Sequence, residues 1–156
     1  MTLKISFAFL LFSLFAMVAI GQDETALRKK QFNLDDNIAI SGYDPVAYFK
    51  NNKAVKGKKD KAVSHGGVIY YFSSIENKEE FKKAPSHFEP AYGGWCAYAM
   101  GANGEKVSID PATFKIVDGK LYLFYNKFFN NTLKSWNKDE AKLKPAADAS
   151  WKKFYH

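Results

Sequence analysis

Apolar and polar residues alternate most regularly between Phe114 and Phe124, around Asp118-Gly119. That dipeptide predicts a two-residue hairpin turn, because both central positions must take positive φ. The turn fixes the register: Ile116 faces Leu121 and Phe114 faces Leu123, so these four side chains share one face. Lys115, Val117, Lys120 and Tyr122 take the other face. One apolar and one mixed face predict a sheet packed on one side. Val63 to Phe72 predicts a second hairpin, turning at Gly66-Gly67. Ser73, with Glu76 three residues on, has capping-box spacing and predicts a helix that ends before Pro85. Val46-Ala47-Tyr48-Phe49, after the turn signal Gly42-Tyr43-Asp44-Pro45, fits a short buried strand or a helical turn. Asn126 predicts the cap of a helix reaching about Trp136. Leu143, Ala147, Trp151 and Phe154 form one helical stripe, and Pro145 predicts a kink or a fresh start within it.

The N-terminus has another pattern. Lys4 is the only charge before Asp23, and the chain from Ile5 to Ile20 is apolar except for Ser6 and Ser13. Ala19-Ile20-Gly21 then offers small residues for cleavage, so residues 1–21 are predicted to be a signal peptide. The apolar run falls short of the roughly 20 residues that span a bilayer comfortably. Membrane contact is therefore expected only in transit, and the mature chain is expected in the periplasm or secreted. Residues 22–35 are polar and predict a loose or helical lead-in.

The mature chain, about 135 residues, suffices for one core. A composition of 47% hydrophobic and 17% aromatic residues favours a compact globule. The formal charge is +7, and loss of Lys4 leaves +6. Lys50, Lys53, Lys56, Lys58, Lys59 and Lys61 crowd into a Gly- and Asn-containing connection, which predicts a solvated loop. An exported chain of this kind is not expected to bind nucleic acid. Its charge predicts at most weak attraction to anionic envelope surfaces.

The chain has one cysteine, Cys96, in Tyr92-Gly93-Gly94-Trp95-Cys96-Ala97. A lone thiol cannot form an intramolecular disulfide. It can be a buried small hydrophobe, pair with another chain, ligate a metal or react. Gly93-Gly94 lets backbone approach closely, as in loops that build sites. A thiol–imidazole pair with His65 or His87, oriented by Asp44 or Asp110, would be the catalytic arrangement. No nucleophile elbow, phosphate loop, HExxH or paired-carboxylate signature accompanies it, so no catalytic residue is assigned. Asn130-Asn131-Thr132 has the form of a glycosylation sequon, relevant only in a eukaryotic host.

Several motifs occur together in order. They are Gly42-Tyr43-Asp44-Pro45-Val46-Ala47-Tyr48-Phe49, Tyr70-Tyr71-Phe72-Ser73-Ser74 with Asn77 and Phe81, Pro85, and Tyr92-Gly93-Gly94-Trp95-Cys96-Ala97. Asp110-Pro111, Gly119-Lys120-Leu121-Tyr122-Leu123 and Ala147-Asp148 with Trp151 come after them. This series resembles an exported protein of the YHS-domain family over residues 36–154. The resemblance implies a small α+β domain, treble-clef-related, with short antiparallel β-hairpins packed against helices. It brings no enzymatic reaction with it. The shorter, metal-binding members resemble Asp-Pro-Val-Cys followed by Phe-Cys-Ser-x-x-Cys. Here Ala47, Ser73 and Asn77 stand at the three cysteine positions. Alanine offers no donor, and serine and asparagine are poor ligands for soft metals.

A metal would need other donors: Cys96, His65, His87 and Met100, with His156 at the terminus. Thiolate, imidazole and thioether suit copper best and zinc second. The sequence therefore predicts a non-enzymatic YHS-like domain that holds copper through Cys96 and His65. The alternative is a metal-free module that binds a protein partner or ligand of the cell envelope.

Overall fold

The computed structural model describes residues 23–155. The predicted signal peptide and His156 lie outside them. Helix α1 covers 23–31, and Phe32 continues from it into the core. Strands β1 (Leu34–Asp35) and β2 (Ile38–Ala39) come next, then α2 (Pro45–Asn51), β3 (Lys58–His65) and β4 (Val68–Phe72). Helices α3 (Ile75–Lys83), α4 (Pro85–Phe88) and α5 (Ala97–Ala102) lead to β5 (Asp110–Val117) and β6 (Lys120–Phe124). A small hairpin, β7 (Asn126–Lys127) and β8 (Asn130–Asn131), precedes α6 (Thr132–Lys138) and α7 (Glu140–Trp151). The fold is α+β. No helix among the described residues is long and apolar enough to cross a membrane.

The first sheet has the order β1-β2-β4-β3, with β2 parallel to β4 and the other pairs antiparallel. Gly66-Gly67 turns β3 into β4, and Val63 faces Tyr70, as the glycine pair predicts. The lysine-rich connection is only partly a loop. Lys58, Lys59 and Lys61 belong to β3, at the edge of the sheet. Charge at an edge discourages pairing with other chains, so a strand can carry the composition of a loop there. Residues 22–35 are likewise more than a lead-in. Within them Arg28 and Phe32 are buried, and β1 is a strand of the sheet.

Asp44 settles the first ambiguous element as a helix. Its Oδ1 accepts the N–H groups of Val46 and Ala47 at 2.9 and 3.3 Å, and Pro45 occupies the first turn. Both features favour a helix start. The second cap is displaced by one residue from its expected place. Ser74, not Ser73, accepts the Asn77 N–H that starts α3. Asn126 likewise caps nothing and lies in β7, while Asn131 caps α6 through the Leu133 N–H. Helix α7 runs through Pro145, whose missing N–H costs the helix one bond of its ladder.

The β5–β6 hairpin has the predicted register, Phe114 with Leu123 and Ile116 with Leu121. It is packed on both faces, not one. Leu121 and Leu123 join a core with Val46, Tyr48, Val68, Tyr70, Phe72 and Phe81. Tyr122 and Phe124 point the other way, into a second core with Trp136, Leu143 and Ala147. Phe114 and Ile116 are half-buried, as is Lys115 between them. The second core exists because α5 and α7 meet closely. A Cβ added at Gly101 would lie 2.5 Å from the Leu143 carbonyl oxygen, so only glycine allows this approach.

Candidate functional site

The structure separates the predicted metal donors. Cys96 is fully buried at the start of α5. Its sulfur lies 3.4 Å from Thr132 Oγ1 and accepts the Tyr125 N–H at 3.4 Å. Its own N–H donates to the Val107 carbonyl. Met100, one turn on, is also fully buried. The adjacent glycine serves packing: a Cβ on Gly93 would lie 2.7 Å from the Phe32 ring and 2.9 Å from Trp151. His65, at the end of β3, meets Phe81 edge-on, and exposed His87 packs against Phe49 and Phe88. Both histidines line one cleft, which neither Cys96 nor Met100 lines. The Cys96–His65 pair is therefore not assembled: the sulfur is turned inward towards Thr132 and Tyr125, and the imidazole faces the cleft. Among the described residues no group of three or more His, Cys, Asp or Glu side chains is placed to hold a metal ion.

Ser73 and Asn77 do converge, on Asp44. Asp44 is fully buried, and its Oδ2 accepts the Ser73 N–H at 2.8 Å, the Ser73 hydroxyl at 2.6 Å and the Asn77 side-chain amide at 2.8 Å. The carboxylate clasps the start of α2 to the β4–α3 junction. This explains the displaced cap, since the Ser73 hydroxyl is already committed to Asp44. Donors that are poor metal ligands are good partners for a carboxylate. Ala47 contributes its N–H to Oδ1 of the same carboxylate.

The cleft has a volume of about 760 Å³ and is open to solvent. Its floor is an ion pair between α1 and the residue after α4. Arg28 Nη1 donates to Glu89 Oε2 at 3.3 Å, and Nη2 pairs with Glu89 Oε1. Arg28 Nε donates to the Gly66 carbonyl at 3.2 Å. Tyr70 donates to Glu89 Oε1 at 2.6 Å. The guanidinium also stacks over Phe32, 4.6 Å from the ring centre. These bonds use three of the five guanidinium N–H groups. Phe32, Trp151 and Tyr155 form an aromatic wall, with Trp151 and Tyr155 stacked at 5.7 Å. On another side Tyr92 donates to Asp148 Oδ1 at 2.9 Å.

The electrostatics fix the protonation of these groups. Burial works against the charge on Arg28, but the hydrogen bond and attraction from Glu89 outweigh it, and the guanidinium pKa is raised. Burial, and then the Glu89 charge, pushes the Tyr70 hydroxyl well above its usual range. Burial, and then Asp148, does the same to Tyr92. At neutral pH the two tyrosines are hydroxyl donors and not bases. The floor thus offers hydrogen-bond donors in a defined geometry.

Arg28, Glu89, Tyr70 and Asp148 were not among the site residues expected from the sequence, although Tyr70 and Asp148 stand in its motifs. One signal could have found the first. Arg28 is the sole arginine among 23 basic residues. Arginine is the side chain for a buried two-pronged pair with a carboxylate, for which lysine is no substitute. The fold and site define an α+β domain with a polar, aromatic-walled cleft over a buried ion pair. No family model, no curated protein and no solved structure matches the chain.

Proposed function

We propose that this chain is an exported, non-enzymatic, YHS-like binding module of the cell envelope, with the cleft over Arg28 and Glu89 as its ligand site. The observation that carries this reading is the placement of the single arginine. In a chain with 22 lysines, the one guanidinium lies buried beneath a solvent-open cleft, held by Glu89. The aromatic wall and the tyrosine donors suit a small organic ligand that combines a flat or apolar ring face with hydrogen-bond acceptors.

A copper reading keeps support in one form, because His65 and His87 line the same cleft. Two imidazoles can hold copper(I) in a linear site, with no sulfur required.

The test is nitrogen-15 NMR of the chain against a panel of monosaccharides, aromatic carboxylic acids and cell-envelope fragments. Shifts confined to Arg28, Glu89, Trp151 and their neighbours are expected for at least one class. Arg28→Lys keeps the charge and loses the fork, so it should abolish those shifts while circular dichroism stays unchanged. Shifts elsewhere, or none across the panel, sink the ligand reading. Metal analysis of the natively isolated chain and of its His65→Ala/His87→Ala variant separates the two alternatives. Copper retained by the first and lost by the second would replace the organic ligand with the metal.

A further inference from the structure

We infer that the β7–β8 hairpin is a membrane-docking finger, which inserts Phe128 and Phe129 into the interface of an anionic lipid bilayer. Both rings stand at the tip of a two-residue connection, 88% and 111% exposed. They are the most exposed of the large hydrophobic side chains among the described residues. Both also have positive φ, 52° and 63°. Two-residue hairpin loops of this kind favour glycine, asparagine and aspartate. The chain uses Asp36-Asn37, Gly66-Gly67 and Asp118-Gly119 at its other three such turns among the described residues. A bulky residue in this backbone region is an outlier, and here two occur in succession. Neither local backbone preference nor burial explains the pair. Display does.

The base of the finger is tied to the domain by hydrogen bonds. Asn126 pairs with Asn131 and Lys127 with Asn130, and the Asn126 amide donates to Thr113 Oγ1 at 3.0 Å. The Thr132 N–H and hydroxyl both bond to the Tyr125 carbonyl. The two rings are therefore held out on a short, fixed stem flanked by asparagines and Lys127.

Charge selects the occupant. Residues 119–138 carry Lys120, Lys127, Lys134 and Lys138 and no carboxylate. Lys127, Lys134 and Lys138 are exposed and form no ion pair among the described residues. Two aromatic rings on a basic stem match the headgroup layer of an anionic bilayer, where rings seat at the interface and lysines meet lipid phosphates. Buried ring area and attraction to lipid phosphate add to give reversible attachment.

The test uses the chain recovered after export, with its N-terminus sequenced, and labelled with fluorophenylalanine. Vesicles are equimolar phosphatidylglycerol and phosphatidylcholine, with pure phosphatidylcholine as the control. The Phe128 and Phe129 fluorine resonances are expected to shift and broaden with the anionic vesicles, and to revert at high salt. In co-sedimentation, Phe128→Asn/Phe129→Gly should weaken partitioning by about tenfold or more. That pair suits the turn, so loss of binding cannot be ascribed to unfolding. Lys127→Glu should weaken binding to anionic vesicles and leave the phosphatidylcholine control unchanged. Unmoved tip resonances, or partitioning that survives the double substitution, would overturn the inference. So would tip resonances that move with envelope protein extract and not with lipid, which would make the finger a protein-docking element.

Discussion

The β5–β6 and β7–β8 hairpins use the same backbone device for opposite ends. Asp118 and Gly119 have φ of 50° and 70°, and Phe128 and Phe129 have 52° and 63°. In the first hairpin the turn residues favour that conformation, and the strands beyond it bury side chains on both faces. In the second the turn residues oppose the conformation, and the strands are two residues long. The first turn is chosen for folding. The second is held in place by its surroundings and carries what the molecule displays. Residue choice at equivalent turn positions therefore separates structural from displayed parts of this chain.

The largest effect should come from breaking the first hairpin. Leu121→Ala and Tyr122→Ala act on opposite faces, and each should lower unfolding stability by about 2–5 kcal/mol. Urea denaturation measures this. A silent Tyr122→Ala would show that the second face is not a core and would collapse the contrast.

Alkaline pH should also act on the interior and spare the tip. Tyr70 and Tyr92 have folded pKa values raised above the ordinary 10.0, mainly by burial. A raised folded pKa means that the stabilisation is fully present below 10.0 and is lost as pH rises through the folded value. Stability should thus be flat in this term at neutral pH and fall above about pH 10. Tyr70→Phe should show a shallower fall in denaturation scans over that range. A profile that is unchanged by the substitution would assign the alkaline loss elsewhere.

The tip should respond in the other direction. Phe128→Asn/Phe129→Gly should raise stability by about 1–2 kcal/mol, since it removes two left-handed bulky residues. Thermal unfolding in the absence of lipid gives the value, and a loss of stability would mean that the rings do structural work. The smallest effect belongs to Gly119→Ala. Nothing lies within 4 Å of an added Cβ there, so only the backbone term remains, about 1 kcal/mol. A much larger cost would show that the Asp118-Gly119 turn is coupled to packing.

These contrasts explain what could be read from the sequence. The Asp118-Gly119 register was legible because turn chemistry and alternation agree there. Packing on both faces was not, because Tyr122 and Val117 beside two lysines resemble a half-solvated face. The β7–β8 hairpin was hidden because Phe-Phe is no turn signal, and so Asn126 looked like the cap that Asn131 provides. The first half of the edge strand, Lys58 to Ala62, was hidden by its lysines. At the site, Cys96 drew attention as a single thiol, yet its surroundings are a matter of long-range packing against Tyr125 and Thr132. The cleft gathers residues from 24 to 155, so no local spacing encodes it. Of the expected donors His65 and His87 do line it, and the solitary arginine was the signal left unread.

The Asp44 clasp has a consequence for how the chain assembles. Its bonds join residues 29 and 33 positions apart in sequence. Between those ends lie α2, the β3–β4 hairpin and the cap of α3, so one carboxylate closes the loop around a nearly complete subunit. Closing a loop of this length involves a modest entropic penalty that grows only logarithmically with size. An inorganic knot would make maturation wait for delivery of an ion and would leave the product open to chelators. A hydrogen-bonded one forms from the polypeptide alone, and residues 44–77 can gather as an early unit onto which α1 and the later hairpins dock.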